Sequence, residues 1–139
     1  MTNKRVKIWN GRGGNRTVEL TIGDDGFGIL DDAARQAFTK GHCHSLALAI
    51  HQLTGWPIKG AGYNSYESPL HTLNYDPTSK RYVDVDGRSS RPGYGFKITH
   101  SRVRVQDVKT FDGYLKPDVK VALPFAKSLL RDLGIKVAA

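Results

Sequence analysis

The chain is poor in the residues that staple small folds. It has one cysteine, Cys43, so no internal disulfide can form and a disulfide-built secreted scaffold is excluded. The same shortage argues against a structural zinc site, and neither a metal nor a cofactor is expected. No segment comes near the ~20 consecutive apolar residues that span a bilayer, and residues 1–10 carry cations without the apolar run of a signal peptide. The expectation is a cytoplasmic protein with no membrane partner. Charged residues are 24% of the 139, too few for a wholly disordered chain, while 39% are hydrophobic, enough to close a core. Repeats, low-complexity tracts and a dividing linker are also lacking, so residues 1–139 are read as a single domain.

Positive charge is plentiful. Lysine and arginine number 21 against 13 acidic residues, a net charge of +8, and the excess lies at the two ends. Residues 1–16 hold five cations and no acid, residues 17–79 three cations and seven acids, and residues 80–139 thirteen cations and six acids. One expectation is therefore an anionic partner bound through a basic surface. Arg81, Arg88, Arg91, Lys97, Arg102 and Arg104 interleave with Tyr82, Tyr94 and Phe96 as on a nucleic-acid face, although no recognised nucleic-acid module accompanies them. Solubility is the plainer account of such a balance. Gly11-Arg12-Gly13-Gly14 lacks the Lys-Ser/Thr ending of a phosphate loop and reads as a hairpin turn.

Periodicity supplies the elements. Val6 and Ile8, then Val18, Leu20 and Ile22, alternate with polar residues and predict strands over 4–9 and 17–22. Asp24-Asp25-Gly26 ends that hairpin, and Asp31 or Asp32 caps a short helix running to Phe38. Cys43, Leu46, Ala47 and Ile50 repeat at three and four, so a helix starts at the cysteine and stops at Gly55 and Pro57. Residues 59–69 read as irregular and, standing before His71, as a substrate-contacting loop; residues 87–95 are a second such loop. Strands are predicted over 71–75, 82–86 and 96–105, and an amphipathic helix over 123–133 with Pro124 in its first turn. The order implies an α+β fold, with helices packed on an antiparallel sheet.

One constellation can carry chemistry: Cys43 opening a helix, His71 opening a strand, and Asp84 or Asp86 on the next strand. A thiol becomes a strong nucleophile only as its anion, and a helix N-terminus plus a nearby imidazole both favour that anion. If the two strands pair as a hairpin, both aspartates share a face with His71, and one can orient the ring. The cluster His42-Cys43-His44, with His51, does not suit a metal, because adjacent helical residues point about 100° apart. His44 and His51 are expected to flank the core, and Trp56 to plug the helix end or line a cleft.

The run Gly41-His42-Cys43-His44-Ser45-Leu46-Ala47-Leu48-Ala49, then Gly55-Trp56-Pro57, then His71 and Tyr82-Val83-Asp84-Val85-Asp86-Gly87, resembles the papain-like and transglutaminase-like cysteine hydrolases. The resemblance covers residues 38–87. It implies a papain-like core around the central helix, with Cys43 as nucleophile, His71 as general base and acid, and Asp84 as the orienting carboxylate, with Asp86 in reserve. It further implies an amide bond in a protein or peptide as substrate, cleaved, deamidated or transamidated. Gln36 or His42 would serve as oxyanion donor, and Trp56 would line the substrate site. The rival is a basic module that binds nucleic acid or protein and carries a vestigial triad. An effector modifying one protein inside a host cell is a third expectation.

Overall fold

The computed structural model of the chain describes residues 1–9, 14–62, 71–89, 104–107 and 117–137. The first alternating segments form β1 (Thr2–Trp9) and β2 (Asn15–Ile22), paired antiparallel with Val6 opposite Val18. Ile8 and Leu20 are buried, while Arg5 and Glu19, opposite one another, are exposed. Gly26, at φ 84°, then reverses the chain so that Gly28 bridges back to Ile22.

Asp31 accepts a hydrogen bond from the Ala34 amide at 3.0 Å and starts α1 (Asp32–Ala37). α2 (Cys43–Thr54) begins at the cysteine, as expected, and Gly55 closes it in the left-handed conformation at φ 76°. The last helix, α3 (Val119–Asp132), starts a turn before the expected residue 123. Its cap is Asp118, whose carboxylate accepts from the Val121 amide at 3.2 Å, so Pro124 stands inside the helix, beyond its first turn.

The second sheet has five strands in the order β6-β5-β4-β3-β7: β3 (Ile58–Gly62), β4 (His71–Asp76), β5 (Arg81–Asp84), β6 (Gly87–Ser89) and β7 (Arg104–Asp107). Every pairing is antiparallel. β3 corrects the irregular reading of residues 59–69 over its own length. Ile-Lys-Gly-Ala-Gly has one large apolar side chain and no alternation, yet β3 pairs with β4 on one edge and β7 on the other. Main-chain bonds on both edges replace the side-chain pattern that marks other strands. The expected strand over 96–105 is described only as β7, and residues 63–70 and 90–103 lie outside the described residues.

One apolar cluster ties these parts together: Ile8 and Leu20 from the hairpin, Phe38 from the end of α1, Leu46 and Ile50 from α2, Val83 and Val85 from the β5 end, and Phe125 and Leu130 from α3. Phe38 and Phe125 meet at 5.3 Å between ring centres, and burying each such ring is worth roughly 1.5–3 kcal/mol. The fold is α+β, with α2 lying against both α3 and β4. Two polar bonds fix where α2 sits. The Asp118 amide donates to Ser45 Oγ at 3.0 Å, and Asn74 Nδ2 on β4 donates to the Ala47 carbonyl at 2.9 Å. The start of α2 is thereby held beside the start of β4.

Candidate active site

Cys43 is the first residue of α2, so its own amide has no carbonyl within the helix to bond, and the helix dipole favours negative charge at its side chain. His71 begins β4, and the β4–β5 register places Asn74 opposite Val83 and Tyr75 opposite Tyr82. Continued with the same offset, that register sets Leu73 beside Asp84. Asp84 therefore reaches His71 diagonally, two residues along the same face. The contact is short: His71 Nε2 lies 2.8 Å from Asp84 Oδ2, with the ring fully buried. The other oxygen, Oδ1, accepts the Asp86 amide at 2.9 Å, which fixes the carboxylate's angle.

With Nε2 facing Asp84, Nδ1 is the ring nitrogen left to face the sulfur, and the thiol and the ring shift each other's pKa. The Thr72 amide donates to Sγ at 3.4 Å. Burial alone would push the thiol up. The bonds from His44 and His71, the charge on His71 and the Thr72 amide outweigh it, and bring Cys43 from 9.0 down to about 6. Burial alone would likewise push His71 down. The Asp84 bond, then the bond to Cys43 and the two negative charges, raise it from 6.5 to about 9. Each group therefore favours the charged form of the other.

The two aspartates part company here. Asp84 holds the ring, whereas Asp86 carries a half-buried carboxylate 4.0 Å from Arg35 and contributes its backbone amide to Asp84. Burial, then the charge of Asp84, raises the Asp86 pKa.

The three residues proposed around the reacting carbonyl are placed elsewhere. Gln36 accepts from Arg16 and donates to Asp32 Oδ2 at 2.7 Å, so its amide is engaged on the surface of α1 rather than at the thiol. Its position seven residues before Cys43 puts it on a separate helix. His42, the residue before α2, donates from Nε2 to the Lys7 carbonyl at 2.6 Å, which pins the helix start to β1. Trp56 belongs to the apolar cluster, and its carbonyl accepts from His51 Nδ1 at 2.8 Å, so it plugs the end of α2. His44, expected to flank the core, is buried in the first turn of α2, next to Cys43 in the chain. Nothing in the periodicity marks it, because neighbours on a helix diverge; only adjacency to Cys43 was a signal.

Among the described residues no cluster of three or more His, Cys, Asp or Glu side chains could hold a metal ion, and no helix is long and apolar enough to cross a membrane. Of the cations read as a nucleic-acid face, Arg88 stands 4.0 Å from Asp76 and Arg81 is exposed on β5, while Arg91, Lys97 and Arg102 lie outside the described residues. No protein-family model, curated protein or solved structure gives a significant match to the chain.

Proposed function

We propose that the protein is a cysteine hydrolase or acyltransferase acting on an amide bond of a protein or peptide, with a papain-like core and a Cys43–His71–Asp84 triad. The observation that carries this reading is the buried relay from Asp84 through His71 to Cys43, with the thiol held well below its ordinary range at a helix N-terminus. A purely structural cysteine is not expected in such a setting, because burying an imidazolium and a thiolate is costly without a chemical use.

In this mechanism the Cys43 thiolate adds to the substrate carbonyl carbon, and the carbonyl electron pair moves onto oxygen. The oxyanion faces the unpaired amides at the start of α2. As the intermediate collapses, the carbon–nitrogen bond breaks and the His71 proton goes to the departing amine, leaving an acyl thioester and a neutral imidazole. Water or an amine then attacks the thioester, His71 takes its proton, and thiolate leaves. Hydrolysis, deamidation and transamidation share these steps and differ in the leaving group and the acceptor. Asp84 keeps the ring in the tautomer that presents Nδ1 to sulfur.

The test is acylation by p-nitrophenyl acetate followed by intact-mass measurement. The proposal expects a burst of nitrophenolate and one acetyl group on the native chain, both abolished in Cys43→Ala and reduced in His71→Ala. A native protein no faster than Cys43→Ala would overturn it and leave the rival basic binding module.

A further inference from the structure

Asn74 shows how β4 faces α2, since its Nδ2 donates to the Ala47 carbonyl at 2.9 Å. From Asn74 back to Thr72 is a step of about 6.7 Å along one face of the strand, and from Ala47 back to Cys43, one turn along the helix, is about 6 Å. Thr72 is therefore set against Cys43 as Asn74 is against Ala47, and the 3.4 Å contact from the Thr72 amide to Sγ fixes that alignment. Thr72 is 1% exposed, yet its Oγ1 has no hydrogen-bond partner among the described residues. Asn74 Oδ1, likewise without a partner there, is an acceptor and cannot hold an anion. Building on the triad reading, we infer that Thr72 is a further catalytic residue, whose hydroxyl donates to the oxyanion formed when the Cys43 thiolate attacks a carbonyl.

A buried hydroxyl left unbonded is a standing cost to the fold, which an acceptor arriving with the substrate removes. The reaction makes such an acceptor. When sulfur bonds to the carbonyl carbon, an electron pair moves onto the oxygen attached to that same carbon, so the new anion lies beside the sulfur that the Thr72 amide already touches. No proton is transferred from Thr72; its hydroxyl donates a hydrogen bond, and the His71 proton still goes to the leaving amine. The unpaired amide of Cys43 supplies the backbone donor, and Thr72 supplies the side-chain donor that Gln36 and His42, bonded elsewhere, do not. A preorganised donor of this kind is typically worth ~10²–10³-fold in rate.

Two reactions of the same sulfur separate this role from support of the thiolate. Iodoacetamide loses iodide from a saturated carbon and forms no oxyanion, whereas p-nitrophenyl acetate transfers its acetyl group through one. Both rates, measured at one pH on the same preparation, give a ratio from which the thiolate fraction cancels. Thr72→Val keeps the shape of the side chain and the backbone amide, and is expected to lower the ratio of acylation to alkylation by ~10²-fold. Because the hydroxyl it removes is unbonded in the resting fold, its melting temperature is expected to hold or rise. Thr72→Ser, which restores the hydroxyl, is expected to recover part of the ratio, and Thr72→Ala to match Thr72→Val, which keeps the test valid if the valine variant does not fold. A ratio unchanged in Thr72→Val or Thr72→Ala, a loss that Thr72→Ser does not recover, or a lower melting temperature in Thr72→Val overturns the inference and, with the native chain acylating normally, leaves the triad standing. A native chain that fails to acylate overturns the triad reading, and the role of Thr72 with it.

Discussion

Replacing Asp84 by asparagine isolates what the carboxylate does for the ring. Asn keeps the shape and an amide oxygen, but removes the charge that faces His71 Nε2 at 2.8 Å. The ring is fully buried, so solvent does not take over the lost partner. A hydrogen bond to a charged group contributes about 1.5–3 kcal/mol, and one pKa unit corresponds to about 1.4 kcal/mol, so the His71 pKa is expected to fall by about 1–2 units from its raised position near 9. The assay is an NMR titration of the His71 ring Cε1–H, assigned by comparison with His71→Gln, in the native chain, Asp84→Asn and Asp86→Asn. Asp86→Asn is the control. It keeps the backbone amide that Asp84 Oδ1 accepts and leaves the 2.8 Å contact in place, so its effect on the midpoint is expected to be small. A midpoint unmoved in Asp84→Asn, or moved more by Asp86→Asn, would refute the assignment of Asp84 as the orienting carboxylate.

Stability should show the same pair through proton linkage. His71, raised from 6.5 to about 9, contributes stability that is complete below 6.5 and is lost as pH climbs through about 9. Cys43, lowered from 9.0 to about 6, contributes stability that is complete above 9.0 and is lost as pH falls through about 6. From about pH 6.5 to 9 folding moves a proton from sulfur to imidazole without net uptake, so urea midpoints should be nearly level. Cys43→Ala leaves only the His71 contribution, and its stability should decline with rising pH above 6.5, by at most about 1.4 kcal/mol per pH unit; equal slopes in the two proteins would contradict the ion pair. Gly28→Ala tests the docking on α3 of the segment that follows the Gly26 reversal. The added Cβ meets the Phe125 ring at 2.4 Å, so overpacking of about 1–3 kcal/mol should appear as a lower melting temperature. An unchanged melt would show that this packing yields at no cost.

The parts of the fold that local rules govern were legible. Cys43 and Gly55 bound α2 because a 3–4 apolar spacing ends at a residue that takes positive φ without penalty. The β4–β5 hairpin followed from alternation and the Asp76-Pro77-Thr78-Ser79 turn, where the Thr78 amide and Ser79 hydroxyl both donate to Asp76. β3 was illegible because its order comes from neighbours on both edges rather than from Ile58-Lys59-Gly60-Ala61-Gly62. The start of α3 was set too late because Pro124 looks like a first-turn residue, while the true cap is Asp118.

At the site, the order Cys43, His71, Asp84 was readable, since each residue opens or ends an element and the elements pair in sequence order. The surroundings were not. Gln36 and His42 carry the right functional groups for an oxyanion donor, but Arg16 and the Lys7 carbonyl, remote in sequence, and Asp32, one turn earlier on α1, claim their hydrogen bonds. The choice between Asp84 and Asp86 depended on a strand register and a side-chain reach that no spacing fixes.

The central claim is an activated thiol at Cys43, and the lone cysteine makes it directly measurable. The rate of iodoacetamide alkylation against pH should rise with an apparent pKa near 6 in the native chain and shift upward in His71→Ala, where the imidazolium partner is gone. A midpoint near the ordinary thiol value of about 8.5 in the native chain, unchanged by His71→Ala, would contradict it.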